Sequence, residues 1–341
     1  MSRFPFNLIT PAFDWLQVEV TSLCNAACVY CPHTAYQDNW LSRHLPVDTF
    51  QKLRRALRKT KLVHLQGWGE PLLHPDFFTL VALARQAGCR VGTTTNGTLV
   101  KAPLAARLVA GGLDFVSFSL AGTTAEKNDA RRRGTSLAKT LEAVRLLQKA
   151  KEEARAARPA IHIAYLLLRS GIDELPQLPD LLAGYGINQV VITTLDFIVS
   201  PALKEESLFL PEGAERKELL ASLQKVTAQG KERGMPIYYQ LNTPGQKKQT
   251  CSENIRRALF ISADGLVSPC VFTSIPVAQA TFLDHETVRP YRRLTFGDIS
   301  TQNLFCLWQQ KEYVSFRRSF TAGQPAAFCR ECPKLSYMRN W

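Results

Sequence analysis

Strand-like runs of apolar and β-branched residues recur six times in the part of the chain before residue 200. Between them, apolar residues spaced three and four positions apart are typical of amphipathic helices. The expected strands are Trp15–Val20, Leu62–Gln66, Arg90–Thr94, Leu113–Ser119, Ala160–Leu168 and Ile187–Thr194. The expected helices are centred on Phe50–Leu57, Phe77–Ala84, Leu104–Leu108, Leu137–Leu147 and Leu178–Leu182, followed by a longer one at Glu215–Arg233.

The regular alternation of strand and helix predicts a parallel sheet, because each return to the same edge requires a crossover helix. Six units are too few for a closed eight-fold barrel. We therefore expect an α/β fold in which the strands form an open, partial six-fold (β/α)6 barrel. In such folds a ligand binds at the carboxyl ends of the strands.

The chain changes in character near residue 241, where loops replace the alternating pattern. Five of the nine cysteines occur in this last part of the chain. We therefore predict two domains. The partial barrel would comprise residues 1–235, and a small metal-bound domain would comprise residues 236–341.

The composition is that of a globular protein, with 341 residues of which 45% are hydrophobic and 21% charged. The amino-terminal segment has no continuous apolar stretch, and the longest apolar runs are too short to cross a bilayer. These features favour a cytoplasmic protein that is not embedded in a membrane. The net charge of +13 indicates solvated basic faces or a functional basic surface, and the scattered basic residues favour the former. Because no basic and aromatic groove is visible, nucleic acid is not expected as a partner.

Nine cysteines in a cytoplasmic chain favour metal or redox chemistry over a disulfide framework. Cys24, Cys28 and Cys31 form a C-x3-C-x2-C array directly after the first expected strand, where barrel folds carry their catalytic residues. Three thiolates suit an iron–sulfur cluster or zinc. His33 would supply a fourth ligand for zinc, so the spacing alone leaves both alternatives open.

Together with Asn25 and Tyr30, this array resembles the signature of the radical S-adenosylmethionine (SAM) superfamily. The resemblance implies that Cys24, Cys28 and Cys31 hold a 4Fe–4S cluster whose fourth iron binds SAM. It also implies that the reduced cluster cleaves SAM and releases a 5′-deoxyadenosyl radical, which abstracts hydrogen from a substrate. A reducing partner such as flavodoxin or ferredoxin would supply the electron.

A second match follows the second expected strand, in the sequence LQGWGEPLLHP. It resembles the G-G-E-P element that contacts SAM in this family, with Trp68 in place of the first glycine. Weaker matches lie in TTTNGT, in SFSLAG and in NDARRRG, where Arg132 or Arg133 would pair with the SAM carboxylate. The resemblance implies SAM contacts at Gly69, Glu70, Thr95, Asn96, Ser119, Arg132 and Leu195. The alternatives are a capping carboxylate at Glu70, a solvated basic turn at Arg132 and a core position at Leu195.

Four cysteines near the carboxyl terminus resemble those of the family's twitch and SPASM extensions, which implies a second 4Fe–4S cluster. They are Cys251, Cys270, Cys329 and Cys332. A hairpin at Phe260–Val267 is expected to bring the first two together. The chain ends nine residues after Cys332, which favours the shorter twitch form with one auxiliary cluster. Structural zinc is the alternative. Cys89 and Cys306 are left over, and both are expected to be buried apolar residues.

Two functions remain open, and the sequence names no substrate. The first is oxidation of a small molecule, in which the auxiliary cluster accepts an electron. The second is modification of a peptide or protein, including maturation of a partner metalloenzyme. A non-catalytic scaffold or electron carrier is disfavoured, because the G-E-P element would then have no purpose. No catalytic residue is assigned, since His64, Tyr165, Arg169 and Asp196 are each better interpreted as structural.

Overall fold

Parallel strands joined by helices form the centre of the molecule. The computed structural model describes residues 13–209, 213–242, 251–284, 287–330, 332–335 and 337–339. The strands are β1 (Phe13–Val18), β2 (Ala27–Cys28), β3 (Thr60–Leu65), β4 (Arg90–Thr95), β5 (Phe115–Leu120), β6 (Arg132–Arg133), β7 (Ala160–Leu167), β8 (Gln189–Thr194), β9 (Ile237–Asn242), β10 (Ala258–Ile261), β11 (Val267–Ser268), β12 (Ala280–Asp284), β13 (Thr287–Tyr291) and β14 (Tyr337–Arg339).

The helices include those expected at Phe77–Ala84, Leu104–Leu108, Leu137–Leu147 and Glu215–Arg233. They are α1 (Pro32–Ala35), α2 (Val47–Gln51), α3 (Arg54–Leu57), α4 (Phe77–Gln86), α5 (Ala102–Ala110), α6 (Ala125–Arg131), α7 (Leu137–Glu153), α8 (Leu178–Leu181), α9 (Ala214–Glu232), α10 (Leu304–Gln309), α11 (Lys311–Thr321) and α12 (Ala327–Arg330). The helix expected at Phe50–Leu57 is divided between α2 and α3. The helix expected at Leu178–Leu182 is only the short α8, which follows a 3-10 turn at Leu175–Gln177.

The six predicted strands are neighbours in one sheet. Within the described part of the chain, ten strands pair in the order β11, β10, β1, β3, β4, β5, β7, β8, β9, β14. The strands from β1 to β8 in this order are all parallel. The α/β class and the partial (β/α)6 barrel are therefore confirmed.

The two faces of this sheet differ in exposure. On the outer face, apolar residues such as Leu16, Val63 and Ile163 are fully buried and form the main hydrophobic core with the helices. On the inner face, residues such as Gln17 and Thr193 are only partly buried. Because the barrel is partial, its polar inner face stays accessible to a ligand.

A layer of rings lies across the inner face of the sheet. Phe115 stacks on His162 with 5.0 Å between ring centres and lies 5.4 Å from His64. A Cβ atom at Gly92 would lie 2.0 Å from the Phe115 ring, so the ring occupies the space above this glycine. Burial lowers the pKa of both histidines to about 4, so they are neutral at neutral pH.

Strands from the carboxyl-terminal part of the chain join both edges of the barrel sheet. β10 pairs in parallel with β1, and β11 returns antiparallel to β10 after a turn in which Gly265 has a φ of +83°. This is the hairpin expected at Phe260–Val267. At the other edge β14 pairs antiparallel with β9. The division of the chain at residue 235 stays a prediction.

The two leftover cysteines differ in their surroundings. Cys89 is buried, as expected, and its thiol donates to the Leu57 carbonyl at 3.0 Å. The prediction for Cys306 is wrong, because this residue is exposed. It lies on α10 between Leu304 and Leu307, which are buried, and the helical repeat turns position 306 towards solvent.

Membrane-spanning segments were not expected. Among the described residues, none of the helices combines the length and the apolar character that a bilayer span requires.

Candidate active site

The first cysteine set, Cys24, Cys28 and Cys31, lies on the loop that leaves β1 at its carboxyl end. The pKa of Cys24 is raised to about 11 and that of Cys31 to about 12, chiefly by burial and in smaller part by the neighbouring thiols. The main-chain N–H of Ala26 donates to the Cys24 thiol at 3.4 Å. The Cys31 thiol accepts from the main-chain N–H groups of the next turn. Buried thiols that accept main-chain N–H groups fit the ligand set of an iron–sulfur cluster.

Arg132 lies directly beside this loop, because β6 pairs with β2 and places Arg132 opposite Cys28. The Arg132 side chain is buried and donates to the Tyr30 hydroxyl at 2.8 Å. Its Nε–H is buried and has no hydrogen-bond partner among the described residues. The neighbouring arginines differ, since Arg131 pairs with Glu174 at 2.7 Å and Arg133 is exposed. Arg132 is therefore the arginine of this segment that is free to donate to a ligand at the loop.

Glu70 is buried and connects the loop after β3 to the end of β4. Its Oε1 accepts from the Thr95 hydroxyl at 2.8 Å and from the Leu72 N–H at 3.2 Å, and its Oε2 accepts from the Asn96 N–H at 2.7 Å. The Asn96 amide in turn donates to the Asn25 side chain at 2.8 Å. Burial raises the pKa of Glu70, and the three donors lower it again in part. The structure thus brings these residues together with the cysteine loop, and contact with SAM stays a prediction for each of them.

Gly69 is needed for close packing of two main-chain segments. A Cβ atom there would lie 2.3 Å from the carbonyl oxygen of Thr21 and 2.5 Å from that of Leu23. The neighbouring Glu70 N–H donates to the Leu23 carbonyl at 2.8 Å. The loop after β3 is therefore held against the segment that carries the first cysteine set.

Ser119 and Leu195, the two remaining predicted SAM contacts, lie further along the sheet. Ser119 is partly buried on the inner face of β5. Leu195 follows β8 and is buried in a second apolar cluster with Phe197 and Trp40.

The second cysteine set, Cys251, Cys270, Cys329 and Cys332, comes from three separate segments of the chain. Burial raises the pKa of Cys270 well above its ordinary value, and charge on Glu253 and on the other three thiols raises it further, so the four thiols lie close together. Main-chain N–H groups donate to Cys251 and to Cys332. This donor set also fits an iron–sulfur cluster. Among the described residues, no three His, Cys, Asp or Glu side chains are placed to hold a single metal ion.

A cavity of about 340 Å³ lies between the two cysteine sets. The loop that carries the first cysteine set and the loop after β3 both contribute to its lining. The sheet and the carboxyl-terminal part of the chain contribute the rest. The lining includes Tyr30, Cys31, Gln17, Gln66, Trp68, Leu166, Thr193, Leu195, Asp196, Glu253, Phe272 and Lys334.

Trp68 explains how this chain departs from the G-G-E-P pattern. Its ring lies 5.9 Å from that of Phe272 at an angle of 77°, so it fills the space between the loop after β3 and the turn that follows Cys270. Its indole N–H is buried and has no hydrogen-bond partner among the described residues. A tryptophan at this position therefore shapes the cavity, whereas a glycine would leave it wider.

Two residues of this site, Glu19 and Lys334, were not assigned a role from the sequence. Glu19 is fully buried and accepts from the N–H groups of Trp68 at 2.8 Å and Ala263 at 3.1 Å. Lys334 lies in ion pairs with Asp196 and Glu253. The position of Lys334 beside the Cys332-Pro333 dipeptide is the only signal that the sequence offered for it.

Comparison with known families identifies the chemistry. Residues 18–182 match the radical SAM superfamily, and residues 251–333 match SPASM, an iron–sulfur cluster-binding domain. The chain belongs to the radical SAM superfamily and carries a SPASM domain. These domains imply 4Fe–4S clusters and SAM as cofactors, which favours clusters over zinc in both cysteine sets. The number of clusters and the individual ligands stay predictions.

Relatives extend over most of the chain. The tungsten-containing aldehyde ferredoxin oxidoreductase cofactor-modifying protein of Pyrococcus furiosus is 25% identical over 89% of this chain and 83% of its own length. The mycofactocin maturase of Mycobacterium ulcerans is 31% identical over 54% of this chain, and the match spans about half, 48%, of that relative. The SAM-bound structure of Streptococcus suis SuiB covers 90% of this chain and 68% of its own, with a TM-score of 0.67 and 14% identity. This last similarity concerns the fold.

Proposed function

We propose that this radical SAM enzyme abstracts hydrogen from a substrate bound in the cavity and oxidises that substrate by two electrons. The observation that supports the proposal best is that one cavity is lined both by Cys31 and by residues adjacent to the second cysteine set. A substrate there lies between the site of radical formation and a second redox site.

Residues of the first site would hold SAM and its cluster. When bound, a 4Fe–4S cluster at Cys24, Cys28 and Cys31 supplies the electron that cleaves SAM to the 5′-deoxyadenosyl radical. The unpartnered Nε–H of Arg132 is suited to donate to the SAM carboxylate. The hydrogen bonds of Glu70 fix the loop after β3 and so position its main chain for the SAM amine.

The second cysteine set would hold the auxiliary cluster. Four thiolates would bind all four irons of one cluster and leave no iron open to substrate. This favours a role as electron acceptor over direct binding of substrate. Hydrogen abstraction and loss of a proton leave one electron to be removed from the substrate, and this cluster would accept it.

A reducing protein such as flavodoxin or ferredoxin would supply electrons to the first site. Arg133 and Arg43 are both exposed, Arg133 on the strand that pairs with the cysteine loop and Arg43 on the segment that pairs with residues 21 and 22. Exposed basic residues beside the loop suit an acidic electron-transfer protein.

Modification of a cofactor or of a partner metalloenzyme is the second candidate. The relative from Pyrococcus furiosus supports it, because the similarity covers most of both chains. The two candidates differ in the substrate and share the radical chemistry.

Reconstituted protein with SAM and a strong reductant tests the shared part, since it should form 5′-deoxyadenosine while a Cys28→Ala variant does not.

Cell extract separated by ultrafiltration then distinguishes the candidates. Faster SAM cleavage with the small-molecule fraction supports oxidation of a small molecule. Faster cleavage only with the macromolecular fraction supports action on a partner protein or its cofactor. No 5′-deoxyadenosine above the Cys28→Ala background would refute both.

A further inference from the structure

Lys334 carries a buried positive charge at the boundary between the cavity and the second cysteine set. Its side chain is 9% exposed, and its Nζ lies 3.0 Å from Asp196 Oδ2 and 3.3 Å from Glu253 Oε1. The ammonium also lies 5.0 Å from the centre of the Phe272 ring. Since Asp196 follows β8 and Glu253 follows Cys251, Lys334 connects the barrel to the carboxyl-terminal part of the chain.

The main chain of Lys334 is part of the second cysteine set's surroundings. Its N–H donates to the Cys332 thiol, and its carbonyl accepts from the Ser252 N–H at 3.1 Å. Ser252 and Glu253, which both contact Lys334, directly follow Cys251, and Lys334 itself follows Cys332 by two residues. The ammonium is therefore held beside the segments that carry both thiols.

We propose that Lys334 sets the reduction potential of the auxiliary cluster, and that Asp196 and Glu253 hold its ammonium in place. The inference rests on the proposed function, because it requires the second cysteine set to hold a cluster. Reduction adds one electron to the cluster, so a buried positive charge nearby stabilises the reduced form and raises the potential. Solvent screens this charge little, since the side chain is buried.

The two carboxylates act in the opposite direction. With all three groups ionised, Lys334, Asp196 and Glu253 together contribute one net negative charge, counted over the ion pairs of the described residues. Removal of the lysine charge leaves the buried carboxylate of Asp196 and the partly buried carboxylate of Glu253, which disfavour the added electron. Removal of one carboxylate charge leaves less negative charge around the ammonium, which favours the added electron. The two kinds of substitution should therefore shift the potential in opposite directions.

The test is an EPR-monitored redox titration of the reconstituted full-length chain. A variant with the first cysteine set replaced by alanine assigns the signal of the auxiliary cluster. We expect Lys334→Met to shift its midpoint potential to a lower value and Asp196→Asn to shift it to a higher value. Lys334→Arg, which keeps the charge, should stay near the parent value. Lys217→Met, which removes an exposed lysine of α9, is the matched control and should not change the potential.

An unchanged potential in Lys334→Met would overturn the inference, as would shifts of the same sign in Lys334→Met and Asp196→Asn. If Lys334→Met loses its iron, Asp196→Asn and Glu253→Gln test the inference instead. Both variants must then raise the midpoint potential of the auxiliary cluster. Absence of an auxiliary cluster signal in the parent chain is a different result. It would refute the proposed function at the second cysteine set, and the inference with it.

Discussion

The side chain of Glu19 occupies the space that a side chain at residue 67 would need. A Cβ atom on Gly67 would lie 2.4 Å from both Cβ and Cγ of Glu19. The Glu19 carboxylate accepts from the N–H groups of Trp68 in the loop after β3 and of Ala263 in the β10–β11 hairpin. One buried carboxyl thus connects the loop that carries the G-E-P element to the carboxyl-terminal part of the chain.

Gly67→Ala should lower the free energy of unfolding by about 1–3 kcal/mol, because either the loop or Glu19 must move. The displaced loop should also bind SAM less tightly. Denaturant titration and SAM equilibrium dialysis measure the two effects. Gly213→Ala is the control, since no atom lies within 4 Å of a Cβ at that position. Equal stability of Gly67→Ala and the parent would contradict the packing described for Glu19.

Glu19 should make the stability depend on pH. Burial raises its pKa to about 7 from an ordinary 4.5. Below pH 4.5 the carboxyl is protonated in both the folded and the unfolded chain. Between the two values the unfolded chain releases its proton first, so stability falls as pH rises, by up to about 3 kcal/mol above pH 7.

Glu19→Gln removes this ionisation, so its free energy of unfolding should fall less between about pH 5 and about pH 8 than that of the parent. The comparison is made within each protein. The glutamine amide cannot accept both N–H groups, but the resulting loss of stability is the same at every pH. It therefore cancels in this comparison. The same pH dependence in both proteins would show that Glu19 does not titrate in this range.

The cysteine sets should hold iron. Anaerobically reconstituted protein is expected to contain about 8 iron atoms per chain if each set holds one 4Fe–4S cluster. Replacement of Cys24, Cys28 and Cys31 by alanine should leave about half of that amount. Iron analysis and the visible absorption spectrum measure this, and colourless protein with stoichiometric zinc in both sets would contradict it.

Arg132→Lys should weaken SAM binding roughly tenfold, because lysine keeps the charge but lacks the Nε–H that has no partner among the described residues. Arg133→Lys changes the next residue, which is exposed, and should leave the affinity unchanged. Dissociation constants from equilibrium dialysis decide the matter. Equal losses in the two variants would indicate a general effect of this segment.

The strands and most of the helices of the barrel could be predicted from the sequence. The predicted strands at Arg90–Thr94 and Ala160–Leu168 differ from β4 and β7 by one residue each. Buried strands and amphipathic helices leave a local hydrophobic period, and local patterns are what a single sequence displays. The family resemblance assigned Glu70, Thr95 and Asn96 to one ligand, and the structure brings them together, because adjacent parallel strands place their carboxyl ends side by side.

The rest of the site depends on contacts between distant segments. Nothing in the sequence around Asp196 indicates that a lysine after the last cysteine lies 3.0 Å away. The pairing of β1 with β10 is equally hidden, since the hydrophobic pattern of a strand does not name its neighbour. Cys306 was misassigned because its apolar neighbours suggested burial, although the helical repeat turns it outward.

The pairing of β1 also has a consequence for biosynthesis. β1 is the first described strand to emerge from the ribosome, and β3 covers one of its edges early. Its other edge pairs with β10, at Trp15 and Ala258 among others, and must wait until all the barrel strands have been translated. An open strand edge can pair with the edge of another nascent chain. Chaperones that bind the nascent chain before Ala258 is made should therefore raise the yield of folded protein more than those added after its release.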